Sequence, residues 1–130
     1  MAITPAYAAN PRSLDIAQIS AANTNRDGTG TIGTVATGSA TGLRIDEVVA
    51  QATVTTTAGM VRLYLSTDSG STWRLFDEIP VSAITVGAST PAFRASRFYK
   101  NLVLFGTSDL LGASTHNAET FNVFPLGADL

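Results

Sequence analysis

The chain has 130 residues, enough for one domain with a sizeable core, and it is 45% hydrophobic but only 14% charged, with 11 glycines and no cysteine. Eight Lys and Arg against ten Asp and Glu give a net charge of −2, which leaves no basic footprint for a nucleic-acid backbone. Without cysteine there is neither a disulfide framework nor a thiolate metal site, and the longest apolar run, "LVLF" at 102–105, falls far short of the about 20 residues of a bilayer span.

Residues 1–12, "MAITPAYAANPR", carry Pro5 and Pro11 and no regular period, so they are expected to form an extended arm ahead of a single domain at 13–130. The start lacks the positive and apolar regions of a signal peptide and is expected to belong to the mature chain. "LDIAQIS" from Leu14 reads as a short strand, and "NTNRDGTGTIG" breaks it with residues that tolerate turns. "TIGTVATGSATG" reads as a weak or edge strand.

Between Leu43 and Thr57 the sequence predicts a long strand in which Val48, Ala50, Ala52 and Val54 share a face, with Glu47, Gln51 and Thr53 opposite. "GMVRLYLS" repeats the alternation, with Val61, Leu63 and Leu65 against Arg62, Tyr64 and Ser66. "TWRLFDEIPV" follows after a Gly-containing loop, so the two runs form a hairpin. Farther on, "AITVGASTP" reads as a connection, "FRASRFYKNLVLFG" as a basic stretch leading into an apolar strand, "SDLLGASTHNAE" as turn-rich, and "TFNVFPLGADL" as a last strand interrupted by Pro125. No segment holds a helical apolar period. The expected fold is all-β: an antiparallel β-sandwich of about seven or eight strands, jelly-roll-like.

Three motifs carry candidate chemistry, each with a structural alternative. "GTGTIG", Gly28 to Gly33, satisfies G-x-G-x-x-G, but that fingerprint needs a helix after it, and "TVATGSATG" will not make one; the segment reads as a turn. His116 is the sole histidine, without partners at ligand spacing, and reads as part of a polar loop. Arg94, Arg97 and Lys100 alternate with Phe93, Phe98 and Tyr99. This mixture suits a protein interface, and equally suits an amphipathic strand edge with Asp77 and Glu78 as intramolecular partners.

"STDSGSTW" at 66–73 reads S-x-D-x-G-x-T-W and resembles the Asp-box found on repeated hairpins of sialidases and other β proteins. The resemblance implies that Ser66 and Asp68 bond turn backbone groups, that Gly70 takes a conformation other residues resist, and that Trp73 anchors the hairpin in the core. A sialidase needs a propeller of several four-stranded blades, for which the chain is too short. One box without repeats implies a structural hairpin.

The run "ATVTTTAGMVRLYLSTDSGSTWRLFDEIPVSAIT" at 52–85, with "GASTHNAETFNV" at 112–123, resembles small all-β structural proteins of tailed bacteriophages and prophages. The resemblance implies a non-enzymatic virion component, a capsid decoration or cement protein on the shell exterior. It implies the major capsid protein as partner, self-association as a homotrimer, and no cofactor, metal or catalytic residue. Ile3, Pro5 and Tyr7 of the arm are the expected contact residues, with Arg94, Arg97 and Tyr99 as a second patch. The stretch between Phe93 and Gly112 is longer than in that group, which bears directly on the second patch. The alternatives are a tail or neck protein of the same fold, and a carbohydrate-binding module, which requires Tyr64, Trp73 or Tyr99 exposed as a platform. The decoration reading requires Trp73 buried.

Overall fold

A computed structural model describes residues 12–130; Ile3, Pro5 and Tyr7 lie outside the described residues. The described part is all-β, without helix. Its strands are β1 (Ala17–Ile19), β2 (Gly33–Thr37), β3 (Leu43–Ala52), β4 (Gly59–Ser66), β5 (Arg74–Val81), β6 (Arg94–Leu104), β7 (Leu110–Thr115) and β8 (Phe121–Asp129). They make a β-sandwich of two antiparallel sheets, sheet A in the order β1-β8-β3-β6 and sheet B in the order β2-β7-β4-β5. Strands whose numbers sum to nine are neighbours throughout: β1 with β8, β3 with β6, β2 with β7 and β4 with β5.

Alternation explains which side chains enter the core. In β4, Val61 and Leu63 point between the sheets and meet Ile79 and Val81 of β5, Leu111 and Ala113 of β7, and Phe121 and Val123 of β8. β3 is less regular. Leu43 and Ile45 face inward, then Asp46 is an extra residue against β8, while on the other side it stands opposite three unpaired residues of β6, Tyr99 to Asn101. The extra residue reverses the parity, so that Val48, Ala50 and Ala52 take over the inward side. Val54, which alternation groups with them, falls beyond the strand's end at Ala52 and is exposed.

Two segments differ from the sequence reading. The turn-rich "SDLLGASTHNAE" contains β7, a strand between β2 and β4 whose six residues are all buried. Its Gly, Ser and Thr are there because both faces of the strand are covered, which leaves little room for larger side chains. Pro125 does not interrupt β8; it is buried and pairs with Val48. β1 pairs with β8 only from Phe121 to Val123, so beyond that point β8 has a flank on which a missing N–H costs nothing. Arg12, at the boundary of the expected arm, is tied to the body by ion pairs to Asp15 and Asp129 and a hydrogen bond to the Thr37 carbonyl.

Candidate functional site

The outer face of sheet B is covered by the loop joining β1 to β2. Asn23 fastens the loop at its base: its amide donates to the carbonyls of Thr29 and Thr31, and its Oδ1 accepts from the Asn25 N–H. Beneath the loop lie Arg62 and Tyr64, both almost fully buried. The Tyr64 hydroxyl donates to the Asn25 carbonyl at 2.7 Å. Arg62 donates to the Asn23 carbonyl at 3.2 Å, to Glu78 Oε2 at 3.0 Å and to His116 Nδ1 at 3.2 Å. A guanidinium has no acceptor, so Nδ1 accepts and the imidazole proton sits on Nε2. Arg26 also reaches Glu78 Oε2, at 2.8 Å. The hydrogen bond from Arg26 is the main reason the Glu78 carboxyl is held below the usual glutamate range, with Arg62 adding to it against partial burial. Gly28 and Gly30 take positive φ in this loop, and Gly33 opens β2. No helix follows, so "GTGTIG" offers no helix N-terminus to a pyrophosphate.

The hairpin between β4 and β5 is built by its Asp-box-like residues. Ser66 Oγ donates to Asp68 Oδ1 at 2.8 Å and accepts the Gly70 N–H at 2.9 Å, while Asp68 Oδ1 accepts the Thr72 N–H at 2.8 Å. The Thr72 N–H, then Ser66, hold the Asp68 carboxyl below the usual range. Gly70 has φ +90°, where side chains are strained. Trp73 is half-buried and does not enter the core between the sheets: its ring lies on the outer side of sheet B against Gly112 and Gly70. These contacts shape a turn and bring no reactive group together.

The second expected patch is divided by the structure. Tyr99 is half-buried; its ring lies 5.0 Å from that of Phe76 and its hydroxyl donates to Asp77 Oδ2 at 2.8 Å. Burial, then this bond, push the Tyr99 phenol well above the usual tyrosine value. Arg97 points inward from β6, 3.7 Å from Asp77 Oδ2, and donates to the Glu78 carbonyl at 3.0 Å. The two side chains close the rim between β6 and β5, the edges of the two sheets, with Asp77 as the intramolecular partner; an inward charge on an edge strand also discourages uncontrolled strand addition. Arg94 faces outward. It donates to Gln51 Oε1 at 3.4 Å, and its guanidinium stands 5.8 Å from the Phe124 ring centroid. To reach Phe124 on β8 from β6 it crosses β3, roofing Val49, which is fully buried although it lies on the outer side.

The remaining outer face, that of sheet A, mixes exposed apolar side chains with polar ones. Register places Phe124, Val49 and Ser96 in one row and Leu126, Glu47 and Phe98 in the next, with Asn122, Gln51 and Arg94 on the other side of Val49. Leu14 and Ile16 precede β1, which begins at Ala17. Phe98 is 76% exposed, and Leu14 and Ile16 are each 56% exposed. Sequence reading placed Phe98 in the Arg and aromatic mixture that suits an interface but did not select it as a contact residue, and it passed over Leu14 and Ile16, which sit beside polar neighbours in an ordinary strand pattern. The signal for Phe98 was its alternation with Arg97 in "ASRFYK".

No protein-family model matches the chain, and no curated protein matches it. Among the described residues, no three His, Cys, Asp or Glu side chains come together to hold a metal ion. Tyr64 is buried, and Tyr99 and Trp73 are half-buried against their own sheets, so Trp73 meets neither the full burial expected of a decoration protein nor the exposure expected of a carbohydrate platform; the exposed aromatics Phe98 and Phe105 carry no polar handle. Among the described residues, the geometry therefore builds a well-packed body whose sheet A outer face exposes Phe98 and Leu126 among polar side chains, suited to docking against another surface.

Proposed function

We propose that this chain is a non-enzymatic virion structural protein of a tailed bacteriophage, a capsid decoration (cement) protein that binds and stabilises the mature shell from outside. The observation that carries the reading is the exposed apolar side chains on the outer face of sheet A, with Phe98 76% exposed on an otherwise well-packed body. The strand order supports it: pairing of strands whose numbers sum to nine is what results when one long hairpin is rolled up, and we take the fold to be a jelly roll, an architecture used by viral capsid and lectin domains. Fold alone does not carry function, so the reading leans on the face and on the bacteriophage-like stretches. These occupy β4, β5, most of β7, the turn after it and the start of β8, and they support the body that displays the face.

The mechanism is linkage. A protein that binds the mature shell better than any other state stabilises that shell by mass action, and repetition over a symmetric lattice multiplies weak contacts. The major capsid protein is the partner in this reading, with the arm at 1–12 as a further contact. The test adds purified protein to mature shells that lack it, measures their heat resistance, and images the particles by cryo-electron microscopy. Raised heat resistance and density on the outer surface are expected. Density on the tail or neck, or unchanged heat resistance at saturating protein, overturns the decoration reading.

A further inference from the structure

The outer face of sheet A carries opposite charges on either side of Val49. Arg94 and Gln51 form one row, Val49 and Ser96 the next, and Glu47 and Phe98 the one after; beyond the bulge the face continues with Arg44, paired with Val103 and held by Asp46. The Glu47 carboxylate has no hydrogen-bond or ion-pair partner among the described residues, and Arg94 holds only a 3.4 Å bond to Gln51 and the Phe124 ring. We infer that this face docks a second copy of the same chain, sheet against sheet, about a twofold axis that lies in the interface and crosses the strands beside Val49.

Charge selects both the occupant and the axis. A twofold across the strands reverses the rows while keeping β3 over β3 and β6 over β6. It lays the Arg94 guanidinium, which reaches over β3, against Glu47 of the second copy, and does so twice because the contact is isologous. Phe98 then covers the stem of the second copy's Arg94, and Phe124 and the Arg94 stem that roof Val49 face their counterparts at the centre. A twofold along the strands brings Glu47 towards Glu47 and Arg94 towards Arg94, with repulsion at both ends. A three-fold ring cannot make this face meet itself, so the arrangement departs from the trimer that the bacteriophage resemblance implies, and because the dimer covers the face proposed to meet the shell, self-association and shell binding compete for it. The ten residues of β3 across the three long strands β8, β3 and β6 at about 4.8 Å spacing give a face on the order of 500 Å², below the ~800 Å² per partner of a standard interface and in keeping with a weak dimer. Packed sheets of this kind stack at about −30°, which leaves the central rows in contact.

The experiment uses the full chain without shells, so its outcome is independent of the virion reading. Sedimentation velocity from micromolar to sub-millimolar protein should show a monomer–dimer equilibrium. Glu47→Arg and Arg94→Glu should each weaken the dimer about tenfold or more, and the double charge swap should restore it to within a few fold. Phe98→Ser should also weaken it. Trp73 sits on the other sheet, so its fluorescence reports folding of each variant independently of the interface. A wild-type monomer at every concentration, a trimer, single variants that dimerise unchanged, or a swap that fails to restore the dimer each overturns the inference. So does a dimer that appears only after residues 1–11 are removed, since the arm would then be the occupant of the face.

Discussion

The indole of Trp73 lies against the backbone of Gly112, so closely that a methyl group at position 112 would sit 2.7 Å from Cζ3 and 2.9 Å from Cη2. Gly112 has no unusual φ; it is glycine because the ring occupies the place of its side chain. Ile32, from the covering loop, presses on the same spot at 2.8 Å. Gly112→Ala should therefore destabilise the fold by about 1–3 kcal/mol through overpacking. Trp73→Leu should recover part of that loss when combined with it, because the two changes share one space. Urea denaturation of the two single variants and the double variant checks both statements.

Arg62 is the most constrained charge in the molecule. Its guanidinium is 2% exposed and serves Glu78, the Asn23 carbonyl and His116 together. Arg62→Ala should cost about 3–5 kcal/mol, since it opens a cavity and leaves buried partners unmatched. Arg62→Lys should recover little of this, because a single ammonium cannot reproduce the planar fork that reaches three partners. Arg62→Met, which keeps most of the volume and leaves Glu78 with Arg26, should fall between wild type and Ala. Denaturant midpoints of the three variants give the order.

How much was legible in the sequence follows from the range of the forces involved. The β4–β5 hairpin was, because strict alternation and a Ser–Asp–Gly turn are local signals: β4 occupies the predicted Gly59–Ser66. The burial of Arg62 and Tyr64 was not, because a loop some 35 residues away covers the face that alternation assigns to solvent. The bulge at Asp46 reverses parity within β3, and no local pattern announces it. β7 was hidden by Gly112, whose smallness answers to Trp73, about 40 residues earlier. The Arg94, Arg97 and Tyr99 cluster was visible as a group. Its division into a rim clasp and an outward guanidinium depended on the pairing of β6 with β3, which composition does not contain.

Acid should weaken the fold in a defined way. Glu78 is held below the usual glutamate range by Arg26 and Arg62, and Asp68 and Asp27 lie below the usual aspartate range through hydrogen bonds from Thr72 and Thr29. Such groups contribute fully above their unfolded values, near pH 4. The contribution disappears as pH falls through the lower folded values. Thermal melts should thus show stability declining from about pH 5 downward. Arg26→Gln should make the decline shallower, since it removes the main cause of the Glu78 shift while leaving Asp68 and Asp27 untouched. A variant with the same acid profile as wild type would show that the Arg26 contact carries no proton linkage.

The alkaline side isolates Tyr99. Its phenol is raised by burial and by donation to Asp77, so the folded protein holds that proton after an unfolded chain has released it. The contribution is whole below the ordinary tyrosine value near 10 and is lost progressively as pH rises above it. Tyr99→Phe should cost about 1 kcal/mol at neutral pH by removing the hydroxyl that Asp77 Oδ2 accepts from, leaving Asp77 with Arg97 and the Glu78 N–H, and should flatten the alkaline decline in stability. In a spectrophotometric titration of the folded protein around pH 10–11, wild type and Tyr99→Phe should give the same phenolate absorbance, because Tyr99 does not ionise there. In urea the variant should lose the signal of one of the chain's three tyrosines. A folded-state titration in which the variant already lacks that signal would mean that the β5–β6 rim is open to water and that Asp77 does not hold the hydroxyl.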